Sequence, residues 1–391
     1  MNKGTFLVFI VFVCIFLTVA VSFQFFKGKE KDDFAVQDNI LIFDEVSGSN
    51  TSFFDVYQLN ESFGQTAHGL ASADFNDDGL LDFVVSYATS PFTHSTISLF
   101  YNLGALTFEQ VDLFSFNYTH INDLDAGDFT GDGYIDLVFS FNEYRWFDDV
   151  SYNMNGTLVL ARNNGCNDFL NLSVISQWTS EDYLDLERNI NLQMTSADYT
   201  HDGLLDLTVG GNSGTVELLV NQGNGSFYNA GVIDDFGWYS WGLTTMDTSD
   251  DYRDLIVAAA VNNSTGMHSG FLYHIPSTES LDYFDSSNIS IIGNISSGSG
   301  TGCLRFVDID NDGYKELIMG IGSQLLVYKQ ENDWYSLISR YILPGTKEGF
   351  ADDLSRGGMT VGDFNNNGYD DFITGGVQGN IRLFLNNHQE H

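Results

Sequence analysis

The chain has 391 residues, with 53 acidic and 15 basic side chains, a formal net charge of −38 and 43% hydrophobic residues. That is ample for a large core, and the acidic excess argues against nucleic-acid binding, which needs a basic surface. The 3 cysteines, Cys14, Cys166 and Cys303, form neither a CxxC motif nor a Cys/His cluster, so the fold does not depend on disulfides.

The N-terminal segment predicts a membrane-directed helix. Residues 5–26 are almost entirely apolar, are flanked by lysines and are long enough to span a bilayer. Three interpretations stay open: an uncleaved signal anchor, a signal peptide cleaved near Ala20-Val21-Ser22, and a pilin-like leader processed after Lys3-Gly4. All three place the body outside the cytoplasm, although the lysines that follow the segment oppose this. We assign residues 1–31 to this segment and residues 32–391 to a single body.

Asn-x-Ser/Thr sequons in the body agree with an extracellular location and a glycoprotein. They begin at Asn50, Asn60, Asn117, Asn155, Asn171, Asn224, Asn262, Asn263, Asn288 and Asn294.

One phrase recurs six times: Asp-x-(Asp/Asn/Thr/Ser)-x-(Asp/Asn)-Gly-x-x-(Asp/Glu), followed by β-branched and aromatic residues, as in ADFNDDGLLDFVV from Ala73. Self-similarity at intervals of this kind indicates a repeat architecture. The lead aspartates are Asp74, Asp128, Asp198, Asp247, Asp308 and Asp363.

The phrase predicts a calcium loop. Oxygen-bearing side chains at positions 1, 3, 5 and 9 can converge on one ion, position 7 can add a backbone carbonyl, and glycine at position 6 allows the tight wrap. Such a set of hard oxygen ligands suits Ca²⁺, and we expect about four to six ions. The predicted ligands are, loop by loop, Asp74, Asn76, Asp78, Leu80 and Asp82; Asp128, Thr130, Asp132, Tyr134 and Asp136; Asp198, Thr200, Asp202, Leu204 and Asp206; Asp247, Ser249, Asp251 and Asp254; Asp308, Asp310, Asp312, Tyr314 and Glu316; and Asp363, Asn365, Asn367, Tyr369 and Asp371.

The loops differ in the strength that we expect of them. The fifth loop offers four carboxylates and the sixth only two, so the fifth should attract Ca²⁺ more strongly. The fourth is one residue short and lacks its glycine, and it could be empty. None is an EF-hand, because position 12 is Val85 in the first loop and Phe139 in the second, and the flanking residues favour strands over helices.

Each unit predicts four strands, A to D, with the calcium loop between A and B, which describes an all-β propeller with four-stranded blades. The last unit ends after strand C, and the segment Ser52–Leu59 ahead of the first unit supplies a spare strand D. Ring closure by that strand gives six blades. A seventh blade, built partly from Asn39–Asp44, is the alternative.

The repeated phrase resembles the calcium-binding FG-GAP (VCBS-type) repeat, which builds the propeller head of integrin α subunits and many microbial surface proteins. The resemblance covers about residues 38–391. It departs from the family pattern in lacking the Gly-Ala-Pro element and in its irregular fourth loop. It implies calcium loops on one face and a ligand-binding face opposite them.

On that opposite face we place two aromatic segments, the loop Phe141–Asn155 and the segment Phe236–Gly242, with His68 and His120 near the channel. Exposed aromatic residues beside arginine are typical of interaction hot spots and sugar platforms. The candidate ligand-binding residues are Tyr144, Arg145, Trp146, Trp238, Tyr239, Trp241, Arg188 and Arg356.

The favoured function is a cell-surface, calcium-stabilised module that binds a protein or carbohydrate, anchored to the membrane or secreted, and not an enzyme. A propeller-type polysaccharide lyase or hydrolase is one alternative, although no GxSxG, HExxH or P-loop motif occurs. A structural subunit of a surface layer or filament is the other.

Overall fold

The computed structural model describes residues 40–45, 54–59, 66–89, 94–147, 150–166, 168–169, 171–179, 192–237, 239–247, 253–262, 268–278, 283–295, 303–322, 324–332, 334–342, 358–376 and 379–386. The predicted N-terminal helix of residues 5–26 lies outside this set. Within the set, no helix is long and apolar enough to cross a membrane.

The described residues contain twenty-five strands, and two of them precede the first repeat: β1 (Ile40–Glu45) and β2 (Phe54–Leu59). The others, together with β2, form six blades with the predicted A-to-D order. Blade 1 holds β3 (Thr66–Ala73), β4 (Asp82–Ala88), β5 (His94–Asn102) and β6 (Thr107–Asn117); blade 2 holds β7 (Thr119–Gly127), β8 (Asp136–Phe147), β9 (Val150–Arg162) and β10 (Asn171–Thr179); blade 3 holds β11 (Gln193–Ala197), β12 (Asp206–Gly210), β13 (Thr215–Asn221) and β14 (Phe227–Asp235); blade 4 holds β15 (Tyr239–Asp247), β16 (Arg253–Asn262), β17 (His268–Ile275) and β18 (Ser290–Ile295); blade 5 holds β19 (Cys303–Val307), β20 (Glu316–Ile321), β21 (Gln324–Glu331) and β22 (Trp334–Ile342); and blade 6 holds β23 (Met359–Gly362), β24 (Asp371–Gly375), β25 (Ile381–Asn386) and β2. A short 3-10 helix, Ser286–Asn288, precedes β18.

The second strand of a blade is buried on both faces. In β4, β12, β20 and β24 every residue is buried, whereas the outer strand β14 is mostly exposed. Continuous runs of Val, Ile, Leu and Phe suit such strands because a blade is covered by a neighbour on each side.

The hydrophobic core is divided into six clusters, one between each pair of neighbouring blades. Blades 2 and 3, for example, enclose Phe129, Leu158 and Leu207, all fully buried. Each cluster of the described residues draws on two blades, so each blade buries its faces against both neighbours.

The N-terminal strands close the ring. β2 pairs antiparallel with β25 and completes blade 6, as the sequence predicted. The alternative of a seventh blade is wrong, because β1 joins two existing blades: Ile40–Ile42 pair with β6 of blade 1, and Phe43–Glu45 pair with β2 of blade 6. The two blades therefore form one nine-stranded sheet.

Replacing Phe54 with alanine tests the closure. Phe54 is 1% exposed, and its ring lies 5.0 Å from Phe372 and 6.3 Å from Phe384. We expect Phe54→Ala to lower the free energy of unfolding by about 3–5 kcal/mol in urea denaturation. Ile40→Ala, at a position 51% exposed in β1, should change it by less than about 0.5 kcal/mol. Similar small effects of both would contradict closure through β2.

Candidate metal centres and the opposite face

Five of the six predicted calcium loops share one backbone conformation. Position 6 is a glycine with φ between 84° and 90° in each of them, and position 4 also has a positive φ. An L side chain at position 6 would be strained, which explains the glycine. The position-4 residues are Asp77, Gly131, His201, Asn311 and Asn366.

The lead aspartate organises each of these loops. Its two carboxylate oxygens accept the backbone N–H groups of position 5, at 2.9–3.2 Å, and of position 6, at 2.7–3.0 Å. The side-chain oxygen of position 5 accepts the N–H of position 7 at 2.8–3.0 Å. The side chains at positions 1 and 5 of each loop are thus held by backbone N–H groups of the same loop.

The acid at position 9 is the first residue of the second strand, and it is removed from water. Asp82, Asp136, Asp206 and Asp371 are 0% exposed and Glu316 is 2% exposed. One oxygen accepts the N–H of position 2 in the same loop at 3.0–3.2 Å.

Burial raises the pKa of these carboxyl groups. The pKa of Asp82 and of Asp371 rises to about 7 and that of Asp206 to about 6, and neighbouring loop aspartates add to the rise while backbone hydrogen bonds oppose it. Burial likewise raises the pKa of Asp136 and Glu316. Burial therefore disfavours the charged form of each group, and a nearby cation would favour it.

Position 2 anchors each loop in the core. Its residues are Phe75, Phe129, Tyr199, Ile309 and Phe364, none more than 5% exposed. Each loop is therefore held to the core by the buried apolar side chain at position 2 and by the buried acid at position 9.

An asparagine at the end of the third strand ties neighbouring loops together, and the sequence analysis missed it. In blade 3 the backbone N–H of Asn221 donates to Asp206 at 2.9 Å. Its side-chain amide donates to the carbonyl of Leu205 at 3.0 Å and to the carbonyl of Phe129 in blade 2 at 2.9 Å. Its oxygen accepts the N–H of Gly223 at 2.9 Å.

The same asparagine recurs in three other blades as Asn102, Asn163 and Asn386, each donating its N–H to the position-9 acid. Asn102 also donates to the carbonyl of Phe364 in blade 6, and Asn386 to that of Ile309 in blade 5. The repeated Asn-x-Gly of strands β5, β9 and β13 is the signal that could have revealed it.

The donor sets of the first, second, third and sixth loops fit Ca²⁺. Their carboxylates and amide or hydroxyl oxygens are hard ligands, the type that Ca²⁺ prefers. Among the described residues no cationic side chain forms an ion pair with these four loops. Each of these loops holds two or more acids, one of them buried.

The fifth loop contains a cation from its own blade. Asp308, Asp310 and Glu316 present oxygens that lie within 4.8 Å of one another, and Lys329 of β21 reaches into this group. Its Nζ lies 2.7 Å from Asp310, 3.1 Å from Asp312 and 3.0 Å from Glu316. These hydrogen bonds, that to Asp310 first, raise the pKa of Lys329, so it is an ammonium ion. The expected ranking of the loops counted carboxylates and left this lysine out.

The fourth loop is built differently where it is described. Ser249 and Asp251 lie outside the described residues. Asp254 contacts Nε2 of His274 at 2.6 Å and accepts the N–H and the hydroxyl of Ser277 at 2.8 Å. Burial opposes ionisation, but these hydrogen bonds lower the pKa of Asp254. Asp247 lies 3.2 Å from Arg253 and 3.3 Å from Lys315.

The opposite face carries part of the predicted aromatic set. The prediction of a loop over Phe141–Asn155 is wrong: β8 and β9 continue their pairing through Tyr144, Arg145 and Trp146 as far as the pair Phe147–Val150. Strand pairing extends this hairpin further than the second strands of the other blades. The extension lies at the end of the blade away from the calcium loop.

The second aromatic segment is also partly strand. Tyr239 begins the inner strand β15, and Trp241 is the unpaired residue of a β-bulge between Ser240 and Gly242. Trp238, Arg188 and Arg356 lie outside the described residues. His68 and His120, 6% and 8% exposed, contact each other with ring centroids 4.2 Å apart.

Acids of the inner strands join blades around the channel. Asp123 and Asp125 of β7 accept the N–H groups of Met194 and Ser196 of β11, at 2.9 and 3.0 Å. Burial raises the pKa of Asp123 to about 7, and the charge of Arg305 opposes the rise. Cys166 is exposed, whereas Cys303 is buried and its thiol contacts the carbonyl of Gly358 at 3.7 Å.

Part of the chain is similar to a known repeat family. Residues 74–139 and 308–374 match the sequence profile of the FG-GAP-like repeat. A solved structure described as showing how an Agrocybe aegerita lectin recognises non-reducing terminal N-acetylglucosamine is similar over 85% of this chain and 88% of that chain, with 16% identity and a TM-score of 0.45. No curated protein matches the chain.

Six four-stranded blades with acidic loops between their first and second strands define a β-propeller with repeat-encoded loops. The two matched stretches carry FG-GAP-like repeats, in agreement with the resemblance seen in the sequence.

The asparagine tie is testable at Asn221. Asn221→Ala leaves the carbonyls of Leu205 and Phe129 and the N–H of Gly223 without their partner. We expect a loss of at least about 2 kcal/mol in the free energy of unfolding, because each buried group left unpaired costs about 1–3 kcal/mol. Gln222→Ala, at the exposed neighbouring position, is the control and should be neutral. Equal melting of the two variants would refute the tie.

The raised carboxyl pKa values predict an inverted pH dependence without calcium. The folded pKa of Asp371, about 7, exceeds the unfolded value near 3.9, so its contribution is largest below about pH 4 and is lost as pH rises to about 7. In EDTA the melting temperature should therefore fall from pH 5 to pH 8. Asp371→Asn should flatten this fall more than Asp77→Asn, an exposed aspartate outside the ligand positions. A wild-type melting temperature that rises over this range in EDTA would contradict the assignment.

Proposed function

We propose that this protein is a calcium-stabilised β-propeller at the cell surface or outside the cell, that it binds a protein or glycan on the face opposite its calcium loops, and that it is not an enzyme. The observation that carries the proposal is the recurrence of one loop geometry in five blades, each closed over a buried acid. A buried carboxyl group with a raised pKa lowers the stability of the fold when it is ionised. Its recurrence in five loops indicates that the loops share one function.

Bound Ca²⁺ would offset this loss of stability in the first, second, third and sixth loops. The residues that would hold the ion are those at positions 1, 3, 5 and 9 of each loop, with the carbonyl of position 7. When bound, the ion would supply positive charge to these acidic loops. The position-9 acid would then link the ion to the core, because it also accepts the N–H of the buried position-2 residue.

The hairpin of blade 2 supports a ligand on the opposite face. It carries Tyr144, Arg145 and Trp146 on paired strands, so the segment has a fixed register. A rigid platform loses little conformational entropy on binding, which suits a recognition surface. The bulge that holds Trp241 lies at the same end of the ring, in blade 4.

The positions of the sequons support an extracellular location. Asn117, Asn171, Asn224, Asn288 and Asn294 are the sequon asparagines whose side chains are described, and all five are exposed. They lie on outer strands or on turns next to them. We propose that residues 1–31 attach this body to a membrane or direct its export.

A calcium titration of thermal stability tests the loops. Each site adds about 2.7 kcal/mol when free Ca²⁺ is 100 times its dissociation constant, so millimolar Ca²⁺ should raise the melting temperature clearly over EDTA. Asp202→Ala, in the third loop, should reduce that rise. Asp234→Ala removes one acid from the same blade outside the loop and should leave the rise unchanged. Identical melting in Ca²⁺ and EDTA would remove the calcium assignment.

A ligand screen tests the opposite face. Glycan and host-protein arrays are probed with the purified protein in Ca²⁺. Trp146→Ala should weaken binding at least about tenfold while the calcium-dependent melting temperature stays within a few degrees of wild type. Trp334→Ala, at a site 41% exposed on the outer strand β22, should bind as wild type does. Loss of binding in both variants, or in neither, would contradict a platform on the hairpin.

A further inference from the structure

The fifth loop has the backbone of a calcium loop but already contains a positive charge. Its glycine has φ 85°, and Asp308 accepts the N–H groups of Asp312 and Gly313 as in the other loops. Yet the three donor hydrogens of the Lys329 ammonium each find a carboxylate, on Asp310, Asp312 and Glu316. An ammonium has three such donors and no acceptor, so the group is satisfied.

The position of Lys329 in the blade explains how it reaches the loop. Leu317 pairs with Tyr328, so Lys329 lies directly opposite Glu316 at position 9. The equivalent residue in blade 2 is Arg162, opposite Asp136, because Leu137 pairs with Ala161. Arg162 donates to the carbonyl of Asn224 in blade 3 and does not enter its own loop. Of these two cationic residues, Lys329 therefore enters the loop of its own blade and Arg162 does not.

Two residues next to the fifth loop also differ from their equivalents in the other blades. Glu316 replaces the aspartate found at position 9 of the other loops, and Gln330 stands where four blades have asparagine. The acid at position 9 is longer by one methylene in the one loop that holds a lysine. Ca²⁺ would have to displace an ammonium held by three ion pairs, and that ammonium is tethered, which gives it a high effective concentration.

We propose that Lys329 replaces Ca²⁺ in the fifth loop, so that its ammonium is the resident cation and blade 5 is held without a metal ion. This inference rests on the proposed calcium loops for its comparison, but it can be tested apart from them. It reverses the ranking by carboxylate number, since the loop richest in acid becomes one that binds no ion.

Bound Ca²⁺ per full-length chain is measured at saturation by equilibrium dialysis and atomic emission. Lys329→Met should bind one ion more than wild type, and its melting temperature should become more dependent on Ca²⁺. Arg162→Met, which removes a cation from the equivalent position, should bind the wild-type number. Asp310→Asn should leave the wild-type number unchanged and remove the ion gained in Lys329→Met.

An unchanged ion count in Lys329→Met would overturn the proposal, and so would the loss of an ion from wild type on Asp310→Asn. The second measurement stands even where Lys329→Met fails to fold, because Asp310 is an exposed residue of the loop. If wild type binds no calcium and Lys329→Met binds one ion, the lysine proposal holds while the proposed calcium stabilisation fails. If wild type binds several ions and Lys329→Met adds none, the reverse is true.

Discussion

A buried carboxylate at the first residue of the second strand, present in five of the six blades, is the constraint on which the rest of the structure depends. It accepts the N–H of its own loop and, in four blades, the N–H of the asparagine that ends the third strand. It thereby fixes where the first, second and third strands of a blade meet. Because the group is out of water, a cation in the loop above it would stabilise its charged form, and in blade 5 Lys329 lies at that place.

The asparagine extends this constraint around the ring. Its side-chain amide donates to the carbonyl of the position-2 residue in the preceding blade. The N–H of that position-2 residue donates in turn to the position-9 acid of its own loop. The loops of blades 5, 6 and 1, and those of blades 2 and 3, are thus joined through a single buried residue each. Blade 4 departs from the pattern, with Asp254 turned to His274 and Ser277. The gain or loss of a cation in one loop would therefore displace a residue that is also hydrogen-bonded in the neighbouring loop.

Much of the fold followed from the sequence because repeat spacing and strand pattern are local. The six blades, their strand order and the closing role of Phe54–Leu59 were all predicted. The interactions that decide the chemistry of single loops were not, since they depend on cross-strand register. Lys329 is thirteen residues from Glu316 in sequence, and only the pairing of β20 with β21 places it opposite. The Phe141–Asn155 segment was misassigned because its mixed polar and aromatic residues resemble a loop, whereas hairpin pairing makes it strand.

The placement of β1 has a mechanical consequence. Its first half pairs with the outer strand of blade 1 and its second half with the outer strand of blade 6. A pull on the chain ahead of Ile40 would reach the ring through these few pairs before any blade is loaded. The bonds to β6 would part first and those to β2 next, each along a separate edge. The joint would open stepwise at its outermost strand, while the inner strands stay joined around the channel.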